Sequence, residues 1–526
     1  VPNKLLFTAE DPRFPVSNAL NSEGGAAYQR TAKQHLAQLA TTGCFAGTFY
    51  ISAKMQLDQV LGLAKEVDDE FLAKLAVYSR QHAFMKDMPV ALLAILSTRN
   101  PTLTRRIFPQ VVNNPRMVRT FFQLIRSGQF GRRGFGSALR NCLQRWFLDT
   151  PAVALINGTI GNKPSLRDVL RMVRPDPGDQ SDRDQLFCWI AGREGDTHAV
   201  KELWALQQFR TTKSPELQRE VIANTKLRWD LLADSALDQS VWVEIAKQMG
   251  HQALRMNLNT LMRHGVLQDA TMVKYVADRL GDPQEVQQAR QLPYQYYAAY
   301  KNTDGSIPAL IRQALNNAAE LACRNVPQIA GRFVIAIDNS ASMNSPTTGH
   351  QQFGATSKMT CADAAGLFAA AMLKTNPDAI TMPFNTCVID RTIDPGDTIL
   401  SITKQLSGSG GGTNCAAPIQ KAQEFDCPLT GIVIVSDNES WYRNQGGRGS
   451  SVVEAWRDFI NIQRGRFHTK PRLVCIDIAP GGTVQCPDRD DVLNVGGFSD
   501  SVFQVVSQFL NGDTENFVST IEAIEL

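Results

Sequence analysis

Residues 333–343, FVIAIDNSASM, carry the reading that decides the fold. Phe333–Ile337 is five apolar residues with no polar alternation, the pattern of a strand buried on both faces. It stops at Asp338, and Asp338-x-Ser340-x-Ser342 follows at the strand end. Downstream the pattern recurs. Ala379–Phe384, Gly431–Ser436 and Leu473–Ile478 are short apolar runs, each bounded by Asp, Asn, Gly or Pro. Helical stretches near 361–374, 415–424, 451–463 and 500–510 lie between or after them. Buried strands alternating with helices predict a mostly parallel, doubly wound α/β sheet covered on both faces, over residues 329–526.

Upstream of this domain the pattern changes to a 3.6-residue period. In Phe71–His82 an apolar stripe runs through Phe71, Leu72, Leu75, Ala76 and Tyr78, and Pro89–Leu96 is a mostly apolar helix. Met117–Ser127, Gly136–Leu148, Ser165–Val173, His198–Gln208, Leu217–Ala223, Val241–Gly250, Ala253–His264 and Thr271–Leu280 continue the series. Residues 25–328 are therefore expected to be α-helical. They form either an irregular repeat of the HEAT/armadillo class or a non-repeating helical domain. Residues 1–24 lack a helical pattern and read as a leader that docks near the α/β domain.

The 526 residues contain 43% apolar and 20% charged side chains, which excludes wholesale disorder. Ten cysteines without a C-x-x-C argue against a disulfide scaffold and against zinc, and fit a reducing compartment. No secretion signal and no uncharged run long enough to span a bilayer is visible, so a soluble cytoplasmic protein without membrane contact is expected. The net charge of +3 conceals a division. Residues 331–526 hold 14 basic and 21 acidic side chains; the remainder holds 54 − 14 = 40 basic and 51 − 21 = 30 acidic ones. Residues 88–148 contain ten arginines and no acid at all. This asymmetry points to a polyanionic partner.

Two further loops at expected strand ends carry oxygen donors, Gly410-Gly411-Gly412-Thr413-Asn414 and Ser436-Asp437-Asn438-Glu439. In a doubly wound sheet such loops gather where ligands bind. Two carboxylates and three hydroxyls, with no Cys or His competing, suit Mg²⁺ or Mn²⁺. The combination resembles the metal-ion-dependent adhesion site of von Willebrand factor A domains. That resemblance implies the ligand set Asp338, Ser340, Ser342, Thr413 and Asp437, some direct and some through water. Asn339 and Ala341 depart from the usual apolar residue and Gly at positions that are not ligands. The glycine run lacks the G-K-[ST] of a phosphate loop, no H-E-x-x-H or G-x-S-x-G occurs, and Ser340 and Ser342 have no general base near them in sequence. No catalytic residue is assigned.

Arginine binds phosphate through a planar, permanently charged fork. Arg116, Arg119 and Arg126 share a side of the Met117 helix. Arg167, Arg171 and Arg174 fall at i, i+4 and i+7 behind a capping box at Ser165 and Asp168, with Lys163 just ahead. Between them, Gly128–Gly136 mixes Arg132 and Arg133 with Gly and Phe, a composition suited to phosphate contact and base stacking, and Arg140 follows. These ten cations are the candidate RNA-binding residues; a solvated basic face, or pairing with acidic helices elsewhere in the chain, is the plain alternative.

A helical-repeat domain followed by one A domain is similar to the Ro autoantigen family, the TROVE-domain proteins, and most of all to its bacterial members. The similar segments are Gly131–Phe147 (GRRGFGSALRNCLQRWF), Ser165–Arg174, Val241–Val266 and Phe333–Met343. The resemblance implies a monomeric ring of HEAT-like helices closed by the A domain. It implies binding of small non-coding Y RNA on the outer basic surface and of single-stranded 3′ ends of misfolded RNAs in the central hole. It also implies a role in RNA quality control beside an exoribonuclease such as polynucleotide phosphorylase. Leu166 stands where animal members carry His, a departure that bears on the exact Y RNA contact and not on the basic face. A metal-dependent scaffold or adhesion module, which captures a partner carboxylate at the A domain, is the alternative function.

Overall fold

The computed structural model describes residues 15, 17–21, 23–42, 53–161, 163–233, 236–346, 359–408, 410–440, 452–478, 483–487, 489–497, 500–512 and 517–526. Eight strands are present among them: β1 (Ala19–Leu20), β2 (Ala26–Gln29), β3 (Phe333–Asp338), β4 (Ile380–Phe384), β5 (Gly431–Ser436), β6 (Arg472–Asp477), β7 (Thr483–Val484) and β8 (Val492–Gly496). Two compact units emerge. One comprises Val67–Gln291, Gln295–Ala322 and Ile524–Leu526; the other comprises Val1–Glu66, Leu292–Tyr294 and Cys323–Ala523.

Among the described residues the first unit contains helices and no strand. Several of its helices start where the sequence supplies an acceptor for the unpaired first-turn amides. Asp68, Asn100, Asn114, Ser165, Ser214, Asp238 and Asp282 each cap one, four of them followed by Pro at the first helical positions. Met88–Arg99 is buried at every position from Met88 to Ser97. It packs against the helices Asp69–Gln81, Pro101–Val111 and Pro115–Ser127 together, so it needs no polar face. Two expected helices differ. The one expected at Ala253–His264 is two pieces, His251–Met256 and Leu258–Arg263. At the break the Asn257 side chain donates to the Ala253 carbonyl (2.8 Å) in competition with the backbone ladder. The one expected at His198–Gln208 opens as a 3-10 turn, Thr197–Ala199, and runs as an α-helix over Lys201–Thr211.

In the second unit five parallel strands lie in the order β4-β3-β5-β6-β8. Val334 and Ala336 of β3 join a core with Ile432 and Ile434 of β5, Leu473 and Cys475 of β6, and Trp456 and Phe459 of the helix Val452–Phe467. Residues 333, 335 and 337 point to the other face because strand side chains alternate. There the helix Cys361–Thr375 packs on β3, and Phe368 stacks on Phe503 at 4.6 Å. The chain leaves β3 toward β4 on one side and returns to β5 on the other. The crevice between the ends of β3 and β5 is thus the topological switch point, where ligands sit in open α/β sheets.

Residues up to Glu66 cluster with this unit, whereas the sequence boundary at residue 25 assigns most of them to the helices. The reason is specific pairing. β2 joins β1 and β7 in a small antiparallel sheet, and the helix Ala32–Thr42 rests on β8. There Gln38 donates to the Asn494 carbonyl and accepts from the Gly496 amide. Of the leader, residues 1–14 lie outside the described residues. Within those described, no helix is long and apolar enough to cross a membrane.

Candidate metal centre and basic face

The five oxygen-bearing residues at the sheet end are brought together by hydrogen bonds between their loops. Asp338 closes β3 and is fully buried. Its Oδ1 accepts the Ser340 amide (2.8 Å) and its Oδ2 accepts the Ser436 hydroxyl (2.7 Å), which locks the end of β3 to the end of β5. Ser340 leads into the short 3-10 turn Ala341–Asn344, and its Oγ lies 3.1 Å from that of Ser342. The glycine loop is laid against this turn. The Gly410 amide donates to the Asn339 carbonyl (2.9 Å) and the Ala341 amide to the Gly411 carbonyl (3.2 Å). Gly410 (φ 147°) and Gly411 (φ 83°) adopt left-handed backbone that side chains disfavour, and Thr413 beyond them is buried. Asp437 follows β5 directly, buried, with the Glu439 amide 3.4 Å from its Oδ1.

Burial pushes the Asp338 carboxyl pKa up, and the neighbouring Asp437 pushes it further. Two buried carboxylates that raise each other's cost of ionisation, with hydroxyls on their flanks, form a donor set that fits a hard divalent cation. Among the described residues no group of three His, Cys, Asp or Glu side chains offers a competing site. Ser436 and Ser440 were not among the expected ligands. Ser436 orients Asp338, while Ser440 Oγ accepts the Cys415 amide (3.1 Å) and reaches the Thr413 carbonyl (3.4 Å). The only sequence signal for either was a serine within three residues of the strand-end Asp437.

The ten cations of the helical unit lie on the helices Pro115–Ser127, Gly136–Asp149 and Leu166–Val173, the last of which packs on the other two, and on their connections. They divide into two groups. Arg126, Arg133, Arg140, Lys163 and Arg174 are exposed, with no carboxylate in ion-pair range among the described residues. The others have internal work. Arg132 donates to the carbonyls of Ser97 (2.9 Å), Gly134 (2.8 Å) and Phe135 (2.7 Å). Arg167 and Arg171 donate to Ile190 (3.2 Å) and Ala191 (2.6 Å) at the carboxyl end of the helix Ser181–Ala191, where cations are favoured. Arg119 is half-buried against Gly161, and burial followed by Arg116 lowers its pKa.

Three expectations change. Arg174 is a left-handed cap (φ 50°), so it leaves the stripe that Arg167 and Arg171 share. Phe130 and Phe135 are buried, the latter against Phe122 at 5.5 Å, and offer no stacking platform. The acid-free stretch does find acids just outside itself, with Arg99 on Asp69 (2.7 Å) and Arg116 near Asp87 (3.8 Å).

Comparison with known proteins shows the family of the chain. The family model of the TROVE domain matches residues 40–220 and 218–388, and that of the Ro60 vWA domain matches residues 332–510. The chain is 26% identical to the RNA-binding protein RO60 of Deinococcus radiodurans, over 97% of this chain and 98% of that one. The crystal structure of the Deinococcus radiodurans RO (RSR) protein superposes with a TM-score of 0.68 at 21% identity, covering 92% of this chain and all of that one.

Proposed function

The chain belongs to the TROVE-domain family, and from that premise we propose that it is a non-catalytic RNA-binding protein. Its ligands are small non-coding Y-type RNA and the single-stranded ends of misfolded RNAs, and its setting is cytoplasmic RNA quality control beside an exoribonuclease. The observation that carries this reading is the exposed, acid-free set Arg126, Arg133, Arg140, Lys163 and Arg174 on adjoining elements of one unit. Guanidinium forks and an ammonium with no partner among the described residues suit phosphates and carry no base preference, which fits a protein that accepts many RNAs. The similarity to a relative named for RNA binding supports the same ligand class.

At the A domain, Asp338, Ser340, Ser342, Thr413 and Asp437 would hold Mg²⁺ or Mn²⁺. The cation, when bound, would offer a Lewis-acid position for a carboxylate of a protein partner. Ser436 and the glycine loop hold the donors in place for it.

The test is a binding isotherm with a short single-stranded RNA at low salt, followed by recovery of the RNA. Saturable binding that weakens steeply with salt and returns intact RNA supports the reading. Absence of binding at low salt would give priority to the metal-dependent scaffold.

A further inference from the structure

We propose that residues 17–21 and 23–29 act as a positioning arm of the metal centre, with Asn21 setting the loop that carries Asp437. This inference rests on the metal reading above. Asn21 is buried, and its amide group works in both directions. Nδ2 donates to the Ser440 carbonyl (2.9 Å), and Oδ1 accepts the Gly25 amide (2.6 Å). Asn21 thereby closes its own turn and clamps the far end of the loop Asp437–Ser440 with one side chain. The approach is tight. A Cβ on Gly25 would fall well inside contact distance of the Ser440 carbonyl, so only glycine admits the arm there.

Two more contacts converge on the same loop. The Glu23 amide is 3.4 Å from Glu439 Oε2. Beyond the turn, β2 pairs with β7 (Tyr28 opposite Val484, Gln29 opposite Thr483), and the Asn438 side chain donates to the Thr483 carbonyl (3.4 Å). Ser440 in turn bonds to the Thr413 loop through Cys415. A single segment distant in sequence therefore holds both loops that bring Thr413 and Asp437 to Asp338.

The physical consequence is linkage. A buried donor set binds a cation only while its loops stay close to the ligating geometry. If the arm favours that geometry, the cation must favour the docked arm by the same factor.

Two measurements on the full chain test this. Free Mn²⁺ is followed by electron paramagnetic resonance during titration of the parent protein, Asn21→Ala, Asn21→Asp and Gly25→Ala. Asn21→Ala and Gly25→Ala are expected to weaken Mn²⁺ binding by about 10- to 100-fold and to alter the spectrum of the bound ion. Asn21→Asp, which retains the acceptor for Gly25 but not the donor to Ser440, should not restore it. Second, amide hydrogen exchange of residues 19–29 in the parent protein should slow when Mn²⁺ is added, a readout that needs no variant to fold. Mn²⁺ binding equal to the parent in both alanine variants, or exchange of residues 19–29 indifferent to Mn²⁺, overturns the arm and leaves the metal reading standing. A parent protein that binds no Mn²⁺ overturns both.

Discussion

Removing Arg126, Arg140 and Arg174 together should weaken RNA binding without weakening the fold, and removing Arg132 should do the reverse. The three are exposed and touch no carboxylate among the described residues, so each is free to replace a counterion on a phosphate. A phosphate contact on a single strand contributes a slope of about −0.7 to log K against log[salt], so losing three flattens the slope by about 2 units. Extrapolated from 1 M down to about 0.1 M salt, the same factor amounts to roughly 100-fold in affinity. Arg132 spends its guanidinium on the carbonyls of Ser97, Gly134 and Phe135. Arg132→Ala strips those acceptors and should cost about 1–3 kcal/mol of stability with little change in slope. Arg171→Ala should show both effects, because Arg171 is exposed and also donates to Ala191. The assay is fluorescence anisotropy of a labelled RNA at four or more salt concentrations, with denaturant unfolding of each variant. An unchanged slope in the triple variant, or a flattened slope with unchanged stability in Arg132→Ala, would refute the division of the cations.

Three further outcomes follow from the same structure. Asp338→Ala should abolish the stabilisation that Mg²⁺ or Mn²⁺ gives the parent protein, about 2.7 kcal/mol at a hundredfold excess over Kd, while RNA affinity stays within twofold or so; thermal unfolding with and without metal checks this. Glu285 is held below the usual carboxylate range, first by the two-pronged bond to Arg279 (2.8 Å each), so its contribution is present above the unfolded pKa and is lost as pH falls through the lower folded value. Glu285→Gln should remove that part of the acid sensitivity below about pH 4.5, seen as convergence of the two unfolding curves in acid. Ser165→Ala should cost about 1 kcal/mol, because it removes half of the capping box with Asp168, and urea unfolding will register it.

What the sequence made legible follows from how local each cause is. Four of the five parallel strands show as apolar runs because burial leaves polar residues almost only at their ends. β8 escapes notice because Asn494 and Gly496 interrupt VLNVG; Asn494 is buried all the same, its side chain donating to the Cys486 carbonyl (2.9 Å). β1, β2 and β7 are too short to read, and β2 and β7 pair across more than four hundred residues. The donors at the sheet end were legible as types and order. The parts of Ser436, Ser440 and Asn21 were not, because each acts through a tertiary contact. The arginines show the same limit from the other side. Helical spacing puts Arg167 and Arg171 on one face, but only packing brings the carboxyl end of another helix to meet that face.

The central claim is that RNA is held by the cations between Pro115 and Arg174. Amide hydrogen exchange of the full chain with and without a saturating short RNA tests it most directly. The account predicts slowed exchange in Pro115–Ser127, Gly136–Asp149 and Leu166–Val173 and in the connections that carry Arg133 and Lys163, with the parallel sheet β4-β3-β5-β6-β8 unaffected. Protection confined to the sheet unit, with those helices unchanged, would contradict it.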